Sequence, residues 1–408
     1  MIIKRHLGSV AFSEKLGRQM RFITGPRQAG KTTIAKQQLA HAGSGFYYSW
    51  DDKEVRARYR AGGDFVAEDL LKAGRVGARG AWVCFDEIHK MPRWKNILKD
   101  YFDTHEGKVK FIVTGSARLD MFRSAGDSLS GRYFLFNLNP LTLAEVSGSP
   151  FSGILPDADA LTYLEKIAAR AGAPKAEFAG LLEYGGFPEP FLKASGVFHK
   201  KWTETYLEQI VDQDLRDLTR IQQLESVKRL LLLMPSKIGS PLSISSIRED
   251  LEVNFLTARN YIDHLCKTCV LFKLPPYSPK MRGLVKKEQK IYFYDWTLAG
   301  EEGAKFENYA AVELKARVDL WNDSLDDRYA LYFVRSRDGL ETDFLITKNN
   351  APWLLCEAKL SVRGVASHHH RHSSMLGDVP FAQVVLKDGI LKVDERKFFT
   401  ISASKFFA

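Results

Sequence analysis

Apolar and polar positions change regime along the chain. Up to about residue 150, short and largely apolar runs recur: Met20-Arg-Phe-Ile-Thr24, Ala81-Trp-Val-Cys-Phe85 and Lys110-Phe-Ile-Val-Thr114. Each gives way at once to small or charged residues, the pattern of strands covered on both faces in a parallel sheet. Thr33 to Ala40 has helical spacing. After Pro150 the strand signals stop, and 158–171, 175–183 and 197–220 read as helices with Pro and Gly at their junctions. Three more helices are expected over 224–234, 243–251 and 254–265, the second capped by Ser243 or Ser245. Two β-runs follow, 270–274 and 289–294, joined by a loop holding Lys280, Arg282, Lys286 and Lys287. The last part predicts a helix from Phe306 to Asp319 and strands over 330–334, 341–346 and 352–359. His368-His-His-Arg-His372 reads as a surface loop with incidental metal affinity.

Composition narrows the class. The chain has 408 residues, 45% of them apolar and 26% charged, which excludes disorder as the dominant state and suggests roughly two to four domains. No apolar run approaches the roughly 18 residues of a spanning helix. The start, Met-Ile-Ile-Lys-Arg-His, lacks an apolar signal core. Four cysteines are too few for a disulfide framework. A cytoplasmic protein without membrane contact is therefore expected. Net charge is +10 and unevenly spread: Met1 to Lys36 holds eight Lys and Arg against one Glu, and Lys267 to Lys290 holds seven against one. Both concentrations are candidate meeting places for phosphate, on a nucleotide or on a nucleic acid.

Candidate chemistry begins where the first strand ends. Gly25-Pro26-Arg27-Gln28-Ala29-Gly30-Lys31-Thr32, followed by Thr33, is G-x-x-x-x-G-K-[ST] between a strand and a helix. The glycines permit close backbone approach, and successive N–H groups at the helix start favour phosphate oxygens. Lys31 is expected to reach the β- and γ-phosphates, and Thr32 to ligate Mg²⁺. Asp86, ending the second apolar strand, is expected to hold the same ion, and Glu87 to take a proton from the attacking water. Thr114-Gly-Ser116 is either a plain turn or a contact to that water through Ser116. Arg132, ahead of another apolar stretch, is either a charge-stabilising arginine acting in its own chain or a neighbour's, or one half of a structural salt bridge.

These motifs, with Trp94, Ser130-Gly-Arg132, Leu138-Asn-Pro-Leu141, Glu183-Tyr-Gly-Gly-Phe-Pro188, Tyr206 to Leu215 and Lys290-Ile-Tyr-Phe-Tyr-Asp295, resemble the bacterial and archaeal AAA-family ATPases whose C-terminal half is a DUF4143 domain. The resemblance is collinear over nearly the whole chain. It implies an AAA-type ATPase core using ATP and Mg²⁺, a small helical lid, and sites that often borrow an arginine across a homo-oligomer interface.

The expected fold is thus α/β: a P-loop AAA-type parallel sheet (1–148), a helical lid (149–222), a winged-helix module (223–296) and a restriction-endonuclease-like α/β domain (297–408). In the winged-helix layout the third helix enters the major groove of duplex DNA, with Thr257, Arg259 and Asn260 as groove-facing candidates, and the basic stretch 267–290 meets backbone phosphates. Cys266-Lys-Thr-Cys269 has no second pair at zinc spacing and reads as core. Asp343 followed by Glu357-Ala-Lys359 at a strand end is a D…(D/E)-x-K pattern. Asp343 and Glu357 are candidate ligands of a second divalent ion, with Lys359 orienting water and Glu307 or Glu313 completing the set. Three readings follow: an ATPase driving its C-terminal parts on or near DNA, an ATP-gated metal-dependent nuclease, or a nucleotide-switched DNA-binding scaffold with little turnover.

Overall fold

The computed structural model describes residues 2–43, 45–62, 64–74, 80–115, 129–215, 224–278 and 288–408. It divides into two compact units, Arg5–Asn139 and Pro140–Ala408 with Met1–Lys4.

In the first unit, five parallel strands lie in the order β2-β3-β4-β1-β5: β1 Met20–Thr24, β2 Gly45–Ser49, β3 Ala81–Asp86, β4 Val109–Thr114 and β5 Tyr133–Asn137. The three strands expected from the apolar runs are present. The helices are α1 His6–Ala11, α2 Lys31–Ala42, α3 Lys53–Arg60, α4 Phe65–Lys72 and α5 Trp94–Thr104. Asp52 and Asp64 cap α3 and α4 by accepting the Glu54 and Ala67 N–H groups at 2.8 and 2.9 Å. On α5, Trp94, Leu98, Tyr101 and Phe102 fall on one stripe and are buried, packing with Phe22, Phe85 and Phe111 of the sheet. Parallel register aligns the carboxyl ends of the strands: Ser49 lies beside Asp86, and Asp86 beside Thr114. Open α/β sheets bind ligands along that edge.

The second unit begins with α6 Leu143–Val146, α7 Ala160–Ala169, α8 Lys175–Tyr184, α9 Pro188–Lys193 and α10 Gly196–Gln209. Next come α11 Leu224–Leu233, α12 Ile244–Leu251, α13 Phe255–Lys267 and an antiparallel pair, β6 Leu271–Leu274 with β7 Lys290–Phe293. Ser243, not Ser245, caps α12, its Oγ accepting the Ser246 N–H at 3.2 Å. A 23-residue helix, α14 Glu302–Ser324, then packs on a six-stranded mixed sheet ordered β12-β13-β11-β10-β9-β8. Its strands are β8 Tyr329–Arg335, β9 Glu341–Lys348, β10 Ala351–Lys359, β11 Phe381–Val385, β12 Leu391–Val393 and β13 Phe399–Ser402, with α15 Ser367–Met375 between β10 and β11 and α16 Ala403–Phe406 after β13. β8, β9 and β10 are successively antiparallel, and β11 runs parallel to β10. The histidine run is therefore not a loop. It forms α15, because His369, His372 and Ser373, at helical spacing, share a buried face.

The motif piece Glu183-Tyr-Gly-Gly-Phe-Pro188 packs on the end of β7 and the residues that follow it. A Cβ on Gly185 would lie 2.9 Å from Asp295 Oδ1, and one on Gly186 would lie 2.6 Å from the Trp296 ring and 2.9 Å from Pro140. The Trp296 indole N–H donates to Leu181 O at 2.9 Å, and the buried Asn308 amide bonds both backbone groups of Phe293, tying β7 to α14. Among the described residues, no helix is long and apolar enough to cross a membrane. Replacing Gly186 by Ala should destabilise the protein by about 1–3 kcal/mol through overpacking, seen as a lower urea midpoint at unchanged slope.

Candidate functional sites

The phosphate-cradle motif folds as its residue types require. Gly25 has φ +133°, and a Cβ there would lie 2.3 Å from Leu138 O, so a side chain is excluded. Gly30 precedes α2 with φ +100°, and Gln28 has φ +59°. Lys31, nearly buried, donates from Nζ to Gly25 O at 3.0 Å and to Pro26 O at 2.6 Å. Arg27 and Gln28 lie further out, half-buried and exposed. Arg5 clamps the far side: its Nη1 donates to Ala29 O at 2.8 Å and its Nη2 to Asn139 O at 2.6 Å. No sequence motif marks Arg5.

Asp86 is the centre of the site. Its Oδ2 accepts the Thr32 hydroxyl at 2.8 Å and the Tyr47 hydroxyl, while Oδ1 accepts the Thr114 hydroxyl. The ring of Tyr47 also lies 4.3 Å from Lys36 Nζ. Tyr47 and Thr114 escaped the motif reading, since only the register of β2, β3 and β4 brings them to Asp86. A hydroxyl and a carboxylate in direct contact form a hard oxygen pair that suits Mg²⁺, so Thr32 and Asp86 fit the ion expected there.

Glu87 follows at φ +56°, with its N–H donating to Thr114 O at 3.0 Å. Its carboxylate lies 3.4 Å from His89 Nε2 and 3.6 Å from Lys90 Nζ. Burial raises its pKa above the ordinary glutamate value, against the pull of Lys90 and Lys31. That is the direction a proton acceptor needs. Arg132 forms a two-pronged pair with Asp103, at 2.9 and 3.1 Å. Ser116 lies outside the described residues.

In the second unit, Asn254 caps α13 by accepting the Thr257 N–H at 2.8 Å. Arg259 and Asn260 are exposed and Thr257 half-buried. Arg259 leans toward Asp263 at 3.9 Å, and Lys273 also pairs with Asp263. Lys280, Arg282, Lys286 and Lys287 lie outside the described residues. Lys290 departs from the expectation that the basic stretch 267–290 meets phosphate: it is 1% exposed, and its Nζ lies 3.0 Å from Glu307 Oε1, 2.6 Å from Glu341 Oε1 and 3.3 Å from Asp343 Oδ1. Burial would lower its pKa, but Asp343, Glu307 and Glu341 together reverse that and hold it charged.

Asp343, Glu357 and Lys359 converge as their spacing implies. The Asp343 N–H donates to Glu357 Oε2 and the Ala358 N–H to Asp343 Oδ2, each at 3.1 Å, and Lys359 Nζ pairs with Glu357 Oε1. Glu307 joins them, its Oε1 also accepting the Tyr292 hydroxyl at 2.7 Å. Glu313 serves elsewhere, accepting the Leu143 N–H at 2.7 Å and the Tyr309 hydroxyl at 2.9 Å. Burial, then the Asp343 charge, raises the pKa of both Glu307 and Glu357. Tested as ligands of a divalent ion, Asp343 and Glu357 fit poorly, because every carboxylate oxygen of the pair already faces an N–H or an ammonium. Among the described residues, no group of three or more His, Cys, Asp or Glu is arranged to hold a metal. Behind Glu357, His369 Nε2 stands 3.8 Å away. The Thr342 hydroxyl bridges His369 Nδ1 and His372 Nδ1 at 2.8 and 2.9 Å.

Residues 17–147 match the family model of an AAA domain. Residues 175–302 match a domain of unknown function, DUF8612, and not the DUF4143 domain expected. The chain is similar to uncharacterized protein Rv2008c of Mycobacterium tuberculosis, 23% identical over 362 residues that span 86% of this chain and 73% of that one. It is also similar to uncharacterized protein MJ1544 of Methanocaldococcus jannaschii, 24% identical over 351 residues that span 81% and 73%. Among solved structures, the Aeropyrum pernix ORC1 protein in complex with DNA aligns over 78% of this chain and 94% of its own, at 16% identity and a TM-score of 0.29, too loose a likeness to say more. The match at 17–147, with the loop and strand ends above, supports an AAA-type P-loop domain in the first unit.

Burial, then the neighbouring His368, lowers the His369 pKa to about 3. Its unfolded form takes up a proton below the ordinary value of about 6.5 while its folded form stays neutral. The contribution of His369 is therefore whole above pH 6.5 and falls by up to roughly 1.4 kcal/mol per pH unit as pH drops toward 3. His369→Asn should lose less over that window than wild type, measured by urea unfolding at pH 7, 5.5 and 4.5.

Proposed function

We propose that the protein is a Mg²⁺-dependent ATPase of AAA type whose nucleotide cycle times a change in its second unit, acting on or beside duplex DNA. The observation that carries the first part is the bond from the Thr32 hydroxyl to Asp86, with Glu87 next in the chain. A P-loop hydroxyl and a strand-end carboxylate, 54 residues apart, meet where the β- and γ-phosphates would lie. In this reading the N–H groups from Gly25 to Thr33 surround the phosphates and Lys31 turns from its loop carbonyls to phosphate oxygens. Thr32 and Asp86 hold Mg²⁺, which supplies charge neutralisation at the transferred phosphoryl group. Glu87 accepts the proton of the attacking water, with Ser116 as a further contact to that water. Tyr47 and Thr114 keep the Asp86 carboxylate turned toward the ion. For Arg132 to stabilise charge, in its own chain or in a neighbouring copy of a homo-oligomer, its pair with Asp103 has to open.

The DNA part rests on the three helices α11–α13 followed by an antiparallel pair, and on the basic residues of 267–290 other than the buried Lys290. We divide the second unit into a helical lid (149–222), a winged-helix-like module (223–296) and a nuclease-like domain (297–408). The helix–three strands–helix–strand order of α14 to β11 and the meeting of Asp343, Glu357 and Lys359 favour a nuclease-like fold as a second reading, though not metal-dependent cutting. A cytoplasmic location remains part of the proposal.

Lys31→Ala should abolish the heat of ATP binding in calorimetry. Glu87→Gln should keep that heat and slow hydrolysis by about 10²–10⁴-fold. Hydrolysis by Glu87→Gln at the wild-type rate would remove the role given to Glu87, and negligible wild-type turnover with intact binding would favour the switched scaffold. Affinity for duplex DNA should fall steeply between low and physiological salt as counterions are released.

A further inference from the structure

The acidic cleft bounded by β7, α14, β9 and β10 holds four carboxylates, from Glu307, Glu341, Asp343 and Glu357, around two ammonium groups, from Lys290 and Lys359. A D…(D/E)-x-K arrangement ordinarily invites a divalent ion to balance such charge. We propose that Lys290 is the resident cation of this cleft, occupying the place a divalent ion would take, so that the cleft is built to stand without metal.

The coordination of the ammonium carries this. An ammonium has three hydrogens and accepts nothing, and Lys290 Nζ has three carboxylate partners at 2.6, 3.0 and 3.3 Å. The Phe333 ring also faces the ammonium, its centre 5.6 Å away. Divalent ions sit about 2.0–2.6 Å from carboxylate oxygens, so one cannot share the point that Nζ fills.

Nor is Lys290 free to withdraw. It opens β7, where it is in register with Leu274 of β6 and bridges Pro241 on the other side. Three residues on, Asn308 binds both backbone groups of Phe293. Swinging the ammonium out would leave a buried charge unpaired or unlace the strand, and either is costly. The other half of the cleft is equally engaged. Lys359 covers Glu357 Oε1, while the Asp343 and Ala358 N–H groups cover Glu357 Oε2 and Asp343 Oδ2. The same ammonium also fastens β7 to α14 and β9, so charge balance and the joining of these elements are one contact.

The inference stands apart from the ATPase reading, and its test avoids nucleotide. Mn²⁺ is titrated into the full chain without ATP, with uptake followed by electron paramagnetic resonance and stability by thermal unfolding. Wild type should take up no Mn²⁺ that Asp343→Asn removes. Lys290→Met keeps the length of the side chain without its charge. It should melt lower, gain Mn²⁺ affinity by about tenfold or more, and regain melting temperature as the ion binds. Adding Asp343→Asn to Lys290→Met should erase the gain. Two results overturn the proposal: wild-type uptake of Mn²⁺ that is lost in Asp343→Asn but kept in Lys31→Ala, or a folded Lys290→Met with no more uptake than wild type. If Lys290→Met does not fold, the wild-type and Asp343→Asn pair decides alone: no Asp343-dependent uptake supports the proposal, and uptake of that kind overturns it.

Discussion

A carboxylate at the end of a buried strand must be hydrogen-bonded or its desolvation goes uncompensated. Asp86 meets that demand with hydroxyls from three separate elements: Thr32 at the head of α2, Tyr47 on β2 and Thr114 on β4. The bonds from the two strands exist only if the parallel register is right, because a slip of one residue in β4 would turn Thr114 away and bring Val113 or Gly115 into its place. The register of three strands and the position of the phosphate loop are thus tied to one side chain. The backbone geometry of the loop serves the same end, since Gly25 passes so close to Leu138 O that no other residue fits.

The second unit turns on an analogous constraint of opposite sign, a buried ammonium among carboxylates. Both are ionic groups that a packed interior tolerates only with full coordination. They differ in what they leave open. Asp86 is engaged by hydroxyls, which can accept as well as donate and can share the carboxylate with an ion. Lys290 is engaged by charges and faced by an aromatic ring.

Much of the first unit was legible in the sequence because its requirements are local. A glycine at an obligatory positive φ, a Lys-Thr pair at a helix start and an apolar run ending in Asp are each written in adjacent residues. Arg5, Tyr47 and Thr114 act across elements, and nothing near them in sequence marks the meeting. Arg132 reads in sequence as either a finger or half of a salt bridge, and a partner such as Asp103 on α5 is not readable from its own surroundings. Counting charges misplaced Lys290, since a tally along the chain carries no information about burial. The histidine run misled for a related reason: repeated polar residues look like a loop until two of them are needed to fill a helix face. Conversely, the Gly-Gly-Phe-Pro and Tyr-Asp pieces meet as packing, with Gly185 against Asp295 and Gly186 against Trp296.

The helical histidine run has a practical side. His369 and His372 are enclosed while His368 and His370 are only partly covered, so the native chain presents at most half of what the string of letters promises to a chelating resin. Grip on immobilised nickel should therefore tighten when α15 unwinds, and retention of an untagged preparation on such a column should rise with its unfolded fraction.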